Sequence, residues 1–128
     1  MKATPTTASS CWPTSTSNGT AAARRLRWHQ AQGHRTVLVS NAPENYLLAL
    51  GRSLGFDHVC GTRLEVANGR ITGRVDGLDC VGAEKVRRLE QTVGELGRYY
   101  IYAYGDSVGD RELLAIADSP FYRNWYIN

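Results

Sequence analysis

Residues 101–114 read IYAYGDSVGDRELL, and the rest of the chain is organised around this stretch. The apolar and aromatic run before Gly105 predicts a buried strand, and a helical pattern follows over residues 108–117. Two carboxylates, Asp106 and Asp110, stand at the junction and could hold Mg²⁺, which takes hard oxygen ligands. Capping of the helix by the same carboxylates is the simpler interpretation, and the stretch alone favours it.

Composition limits the classes of protein that fit. The chain has 128 residues, 42% of them hydrophobic, and a net charge of +3, which suits one domain. Arginine supplies nearly all of the basic charge, since the only lysines are Lys2 and Lys85. Three cysteines without a C-x-x-C pair indicate neither zinc nor disulfides, so we expect a reducing, cytoplasmic location. The sequence also contains no apolar run long enough for a membrane span.

The first 20 residues are rich in Thr, Ser and Pro and almost free of aliphatic side chains. Because such a segment buries too little apolar surface to offset the entropy of ordering, we predict a disordered leader over residues 1–20. Residues 21–128 are predicted to form a partial α/β core that begins with a helix at 21–32. We interpret the arginines of this helix as a solvated face rather than a nucleic-acid surface.

A second strand–helix junction lies within residues 35–55. The apolar run that ends at Ser40 predicts a strand buried on both faces, and Pro43 opens a helix that Gly55 ends. The Ser40 hydroxyl, the Asn41 amide and the first N–H groups of the helix form a pattern suited to anion binding. Capping of the helix by Ser40 or Asn41, without a ligand, explains the junction equally well.

Between these two junctions the sequence predicts three further elements: a strand at 56–60, a β-hairpin over about 62–75 and a helix at 83–96. The Asn68-Gly69 pair between two alternating runs is the hairpin signal. Lys85 lies in the first turn of the helix, although the helix dipole favours anions there. A lysine in this position, in a chain that otherwise uses arginine, indicates a need for compact positive charge.

These elements, with a final edge strand at 121–127, predict an α/β protein with a mainly parallel sheet flanked by helices. In such sheets ligands bind beyond the carboxyl ends of the strands. Ser40 and Asp106 are both predicted to lie at such ends. We therefore expect them to share one crevice, which favours a phosphate and metal site over two unrelated helix caps.

Three stretches resemble, in order, the second, third and fourth motifs of the haloacid dehalogenase superfamily, in its phosphoserine-phosphatase-like branch. They are VLVSNAPENY at 37–46, CVGAEK at 80–85 and YGDSVGDRELL at 104–114. The resemblance implies a Rossmann-like sheet, Mg²⁺ as cofactor and a phosphorylated small molecule as substrate. It also implies roles for the site residues. Ser40 and Lys85 would act in catalysis and, with Asn41, bind phosphate, while Asp106 and Asp110 would hold the metal.

The first motif of that family, an apolar strand ending in Asp-x-Asp that supplies the nucleophile, has no match, since residues 1–56 contain no aspartate. The cap domain that this branch inserts before its second motif is also missing. We therefore expect a truncated member with an incomplete sheet that lacks the central strand and the nucleophile, and is impaired or inactive as a phosphatase. A non-catalytic phosphate- or Mg²⁺-binding remnant, acting as an interaction module, is the alternative.

Two other classes of protein fit the sequence less well. A signalling receiver domain also combines acids, a hydroxyl and a lysine, but it places its paired acids first and its lysine last. A nucleic-acid-binding protein would need a larger basic surface than the short arginine clusters at residues 24–27 and 87–88 provide. We therefore expect no nucleic-acid partner.

Overall fold

The structure, a computed structural model, describes residues 3–9, 16–105 and 108–123. Its strands are β1 (Ala3–Ser9), β2 (Arg35–Pro43), β3 (His58–Thr62), β4 (Leu64–Ala67), β5 (Arg70–Val75), β6 (Tyr99–Gly105) and β7 (Ser119–Tyr122). Its helices are α1 (Thr16–Ala31), α2 (Glu44–Leu54), α3 (Ala83–Val93) and α4 (Arg111–Ile116), with 3-10 turns at Leu96–Arg98 and Val108–Asp110. No helix among the described residues is long and apolar enough to cross a membrane.

Five strands form one parallel sheet in the order β3-β2-β1-β6-β7, and β4 and β5 form a separate antiparallel hairpin. The sheet lies between two layers of helices. Successive strand residues point to opposite faces of the sheet, so each face packs against its own layer. On one face Val37 and Ile101 pack against Leu89 of α3 and Leu113 of α4. On the other face Tyr104 packs against α1. The predicted α/β architecture with a parallel sheet is confirmed.

β1 corrects the expectation that residues 1–20 form a disordered leader and that the central strand is lacking. It pairs in parallel with β2 on one side and with β6 on the other, so it occupies the centre of the sheet. Main-chain hydrogen bonds on both sides order a strand of sequence ATPTTAS, which lacks the aliphatic pattern that would reveal it. α1 likewise begins at Thr16, so the predicted boundary after residue 20 falls inside this helix.

Other elements match their predictions with shifted ends. The hairpin is present, and its turn uses the left-handed backbone that Asn-Gly favours, with φ of 53° at Asn68 and 77° at Gly69. β2 continues to Pro43 instead of ending at Ser40. α3 ends at Val93 instead of residue 96, because Gly94, with φ of 93°, stops the helix. The final edge strand is β7, which begins at Ser119, two residues before the predicted start; residues 124–128 lie outside the described part of the chain.

Candidate functional site

The carboxyl ends of β2, β1 and β6 lie side by side along one edge of the sheet. The strand register places Ser9 level with Leu38 on one side and with Tyr104 on the other. Ser40 lies two residues beyond Leu38, and Gly105 directly follows Tyr104, so both reach the same edge. The ends of β2 and β6 are two strand spacings apart, about 10 Å, because β1 lies between them. This edge carries the residues that the sequence singles out.

Lys85 and Asp110 form a buried ion pair at this edge. The Lys85 Nζ contacts Asp110 Oδ1, and their side chains are only 5% and 1% exposed. Asp110 occupies the position before the first residue of α4, yet it makes no side-chain capping hydrogen bond. Its carboxylate is therefore directed to the lysine, and helix capping does not account for this residue. Removal of either partner would unbalance the charge of this buried pair.

Gly105 allows the Asp110 carboxylate to come this close to the strand. A Cβ atom at position 105 would lie 2.7 Å from the Asp110 Cβ and 2.9 Å from its Oδ2. Atoms in van der Waals contact cannot approach so closely, so only glycine leaves room for the carboxylate at the end of β6. Gly105, the first glycine of the GDSVGD motif, is thus explained by packing of the strand end against Asp110 rather than by a turn.

Ser40 lies partly buried in the last part of β2, and Asn41 beside it is exposed. The Ser40 Oγ accepts a hydrogen bond from the N–H of Ala42 at 3.2 Å, which leaves the hydroxyl hydrogen available for another acceptor. The residue before α2 is Pro43, and no side chain caps this helix. Capping by Ser40 or Asn41, the alternative to anion binding, is therefore excluded.

The start of α3 is fastened to the Asp110 turn. The Gly82 N–H donates to the Gly109 carbonyl oxygen at 2.9 Å, which joins the residue before α3 to the Val108–Asp110 turn. Glu84, next to Lys85, is directed away to Arg87, whose Nη2 donates to it at 2.7 Å. The Arg87 guanidinium lowers the pKa of the Glu84 carboxyl through this hydrogen bond. Glu84 consequently does not compete with Asp110 for the lysine.

Arg88 and Glu44 were not predicted as site residues, and the structure joins them beside this edge. Arg88 is only 6% exposed, although its sequence context suggests a surface charge. Its Nη2 donates to Glu44 Oε2 and its Nη1 to the Gly61 carbonyl oxygen, both at 2.7 Å. The one available sequence signal is the spacing of three between Lys85 and Arg88, which places both on the same side of α3.

A buried cluster of aromatic and histidine side chains lies behind the same strand end. His29 of α1 is fully buried; its Nε2 is 2.7 Å from the Tyr104 hydroxyl and its Nδ1 is 2.8 Å from the His34 Nδ1. Burial, and then the charges of His34 and Arg25, lower the pKa of His29 to about 3. Burial also raises the pKa of the Tyr104 hydroxyl. This cluster remains uncharged at neutral pH and holds α1 against β6.

Asp106, the other predicted metal ligand, lies outside the described residues, so its placement stays a prediction. Among the residues that the structure does describe, no group of three or more His, Cys, Asp or Glu could hold a metal ion. The cysteines within this part of the chain, Cys60 and Cys80, are buried and free. The described site therefore consists of Ser40 and Asn41 on one side of β1 and the Lys85–Asp110 pair on the other.

Comparison with known proteins places this arrangement in a family. Haloacid dehalogenase-like hydrolases match residues 15–115. Protein CicA of Caulobacter vibrioides is 43% identical over 98 residues, which cover 76% of this chain and 44% of that protein. A histidinol-phosphatase of Neisseria meningitidis is 31% identical over 98 residues, covering 72% of this chain and 44% of that enzyme. A phosphoserine phosphatase of Archaeoglobus fulgidus is 32% identical over 84 residues, covering 64% and 24%.

Solved structures of other proteins share this fold. A Bordetella pertussis protein of unknown function superposes with a TM-score of 0.73 at 30% identity, covering 80% of this chain and 48% of that one. A substrate-bound phosphoserine phosphatase shares the fold, with a TM-score of 0.61 at 24% identity, covering 75% and 47%. This chain thus spans about half the length of these two solved chains. It belongs to the haloacid dehalogenase-like hydrolase family, in its phosphoserine-phosphatase-like branch.

Proposed function

We propose that this edge of the sheet is the phosphoryl-binding site of a Mg²⁺-dependent phosphomonoester hydrolase. The observation that carries the proposal is the buried Lys85–Asp110 pair, which lies at the carboxyl edge of a parallel sheet, where ligands of such sheets bind. Similarity to proteins named phosphoserine phosphatase and histidinol-phosphatase supports a phosphorylated small molecule as the substrate class.

Ser40, Asn41 and Lys85 would bind the phosphoryl group. The gap of about 10 Å between the ends of β2 and β6 leaves room for it over the end of β1. The Ser40 hydroxyl hydrogen, free to donate, would bond to a phosphoryl oxygen, with the exposed Asn41 amide beside it. The Lys85 ammonium would neutralise phosphate charge from the other side. Phosphoryl transfer depends mainly on such positioning and charge neutralisation.

Asp110, together with Asp106, would hold Mg²⁺. Carboxylate oxygens are the hard donors that this ion prefers, and the space that Gly105 provides is filled by the Asp110 carboxylate. When bound, the ion would neutralise negative charge on the phosphoryl oxygens. Lys85 would orient the Asp110 carboxylate, as partners of metal-ligating carboxylates commonly do. The free thiols of Cys60 and Cys80 suit a reducing, cytoplasmic setting for this site.

The chain would bind phosphate and Mg²⁺ without appreciable turnover. Members of the family attack phosphorus with an aspartate of the first strand, and in this sequence β1 ends at Ser9 with no aspartate before Asp57. Without that carboxylate no aspartyl-phosphate can form. The remaining groups would bind and orient a phosphoryl group but supply no nucleophile of that kind, so this hydrolase site would be impaired or inactive.

Calorimetry and a hydrolysis assay on the pure 128-residue protein test this proposal. We expect inorganic phosphate and Mg²⁺ to bind, and Asp110→Asn to weaken Mg²⁺ binding. Asp118→Asn is the matched control, since Asp118 accepts the Ile101 N–H at the opposite end of β6. Mg²⁺-dependent hydrolysis of p-nitrophenyl phosphate that Asp106→Asn abolishes would contradict the absence of turnover. Failure of both ligands to bind would contradict the proposed site itself.

A further inference from the structure

We propose that Arg88 is a positioning residue that sets the distance between Lys85 and the last part of β2, which carries Ser40 and Asn41. The inference rests in part on the proposed function, because it assigns Arg88 to the geometry of the same phosphoryl site. Arg88 is not a surface side chain that meets these groups by chance, since it is 6% exposed and its two terminal guanidinium nitrogens, Nη1 and Nη2, are each hydrogen-bonded at 2.7 Å.

The contacts of Arg88 join three elements. Its Nη2 bonds to Glu44 in the first turn of α2, and its Nη1 bonds to the Gly61 carbonyl oxygen near the end of β3. Glu44 Oε2 also accepts the Gly61 N–H at 3.4 Å. One guanidinium of α3 therefore holds α2 and β3 together. Hydrogen bonds between charged groups in such sheltered positions are stronger than those on the surface.

Gly61 connects Arg88 to the end of β2, beyond Ser40. A Cβ atom at position 61 would lie 2.9 Å from the Ala42 carbonyl oxygen and 2.9 Å from the Glu44 Cα. The end of β3 is thus pressed directly against the backbone of residues 42–44. Arg88 donates a hydrogen bond to the Gly61 carbonyl oxygen. A change in the position of α3 must therefore displace residues 42–44 or break this hydrogen bond.

Lys85 precedes Arg88 by three residues, so both lie on the same side of α3 and move with the helix as one body. The Arg88–Glu44 pair therefore determines where Lys85 stands relative to Ser40, across the width of β1. An arginine suits this task better than a lysine, since its planar group reaches two acceptors at once in a fixed geometry. Arg98, beyond the end of α3, is the control: its side chain is 76% exposed and pairs with Glu95.

The lysine content of the chain offers a direct spectroscopic test. Lys2 and Lys85 are the only lysines, so lysine labelled with ¹⁵N at Nζ gives two side-chain signals, which the Lys2→Arg variant assigns. We expect Arg88→Met and Glu44→Gln to shift the Lys85 signal, and Arg98→Met to shift it less. A Lys85 signal that Arg88→Met and Glu44→Gln leave unchanged, in proteins with wild-type circular dichroism, would overturn the proposal.

Phosphate binding supplies the second readout. Loss of residues that orient a metal ligand weakens binding about 10- to 100-fold, and we expect a comparable loss of inorganic phosphate affinity for Arg88→Met. The double variant Arg88→Met with Glu44→Leu removes both charges, so it should regain stability but not phosphate affinity. Wild-type affinity in a stable double variant would show that the pair has only a structural role.

These experiments distinguish failure of the proposed function from failure of the proposed role of Arg88. If the wild-type chain binds no phosphate, the proposed function fails, while the Lys85 signal still decides whether Arg88 positions the lysine. If Arg88→Met does not fold, the Glu44→Gln variant decides, because it keeps the shape of the side chain and removes only its charge.

Discussion

Gly105 determines how closely the Asp110 carboxylate approaches the sheet. We expect Gly105→Ala to lower the free energy of unfolding by about 1–3 kcal/mol, since the added Cβ overlaps Asp110 and neither backbone can move freely. Gly97→Ala is the control, because a Cβ there meets nothing within 4 Å. Urea unfolding of both variants measures the difference. Equal stability of the two would show that the turn after β6 can relax around a side chain.

Removal of one partner of the Lys85–Asp110 pair should lower the free energy of unfolding strongly. We expect Lys85→Met to lower the free energy of unfolding by about 3–5 kcal/mol, because it removes the cation that the buried Asp110 carboxylate contacts. By contrast, Glu95→Gln breaks an ion pair with both side chains at least 75% exposed and should cost less than about 1 kcal/mol. Denaturant unfolding compares the two, and a similar small cost for each would mean that the buried carboxylate finds another partner.

Individual site residues differ in how far the sequence could reveal them. Lys85 could be singled out, because a lysine in a first helical turn opposes the helix dipole, and the structure pairs it with Asp110. Arg88 could not, because its burial depends on Glu44, which lies 44 residues away in the sequence. Nothing in the sequence marks Gly61 either, since its need for glycine comes from contact with the end of β2 and the start of α2 rather than from its own backbone.

At the scale of elements, we expect the contact between α1 and β6 to be sensitive to pH. His29 is buried between them with its pKa lowered to about 3, whereas in the unfolded chain it titrates near the ordinary value of 6.5. The unfolded state therefore takes up a proton as the pH falls below 6.5 and the folded state does not. The stability that His29 contributes in this way is fully present above pH 6.5 and is lost progressively toward pH 3.

We expect this histidine to lower the free energy of unfolding by about 2 kcal/mol between pH 7.5 and pH 5. Urea unfolding across this range, compared with His29→Gln, isolates the contribution. The variant should be less stable at pH 7.5, because it disrupts the bond to Tyr104, but should change less with pH. The same pH dependence in wild type and variant would assign the effect to other groups.

Elements with a strong periodic or turn signal were predictable, and the one held by its neighbours was not. The hairpin follows from Asn68-Gly69, and the apolar runs of β2 and β6 reveal buried strands. β1 carries Thr, Ala, Ser and one Pro, so nothing in its own composition distinguishes it from a loop. Its order comes from hydrogen bonds to two strands that lie far along the chain, which single-sequence patterns do not report.

For the molecule as a whole, β1 should be the strand on which cooperative unfolding depends. Proline at Thr7 removes a main-chain donor in a strand paired on both sides, and we expect a loss of about 1–3 kcal/mol or more in the free energy of unfolding. Thr72→Pro, in β5 of the separate hairpin, is the control and should have a smaller effect. An unfolding midpoint that Thr7→Pro leaves unchanged would contradict the central placement of β1.

The central position of β1 also has a consequence for how the chain is made. Thr7 pairs with Tyr102, so these partners are separated by 95 residues, whereas Thr7 and Thr36 are separated by 29. Translation at 5–20 residues per second takes about 5–20 s to cover the longer interval. During this time one side of β1 has no strand to pair with, and the open hydrogen-bonding edge is available to chaperones or to another nascent chain. β6 therefore pairs with β1 only late in synthesis, which brings Gly105 to the end of β1, and β7 follows it at the edge of the sheet.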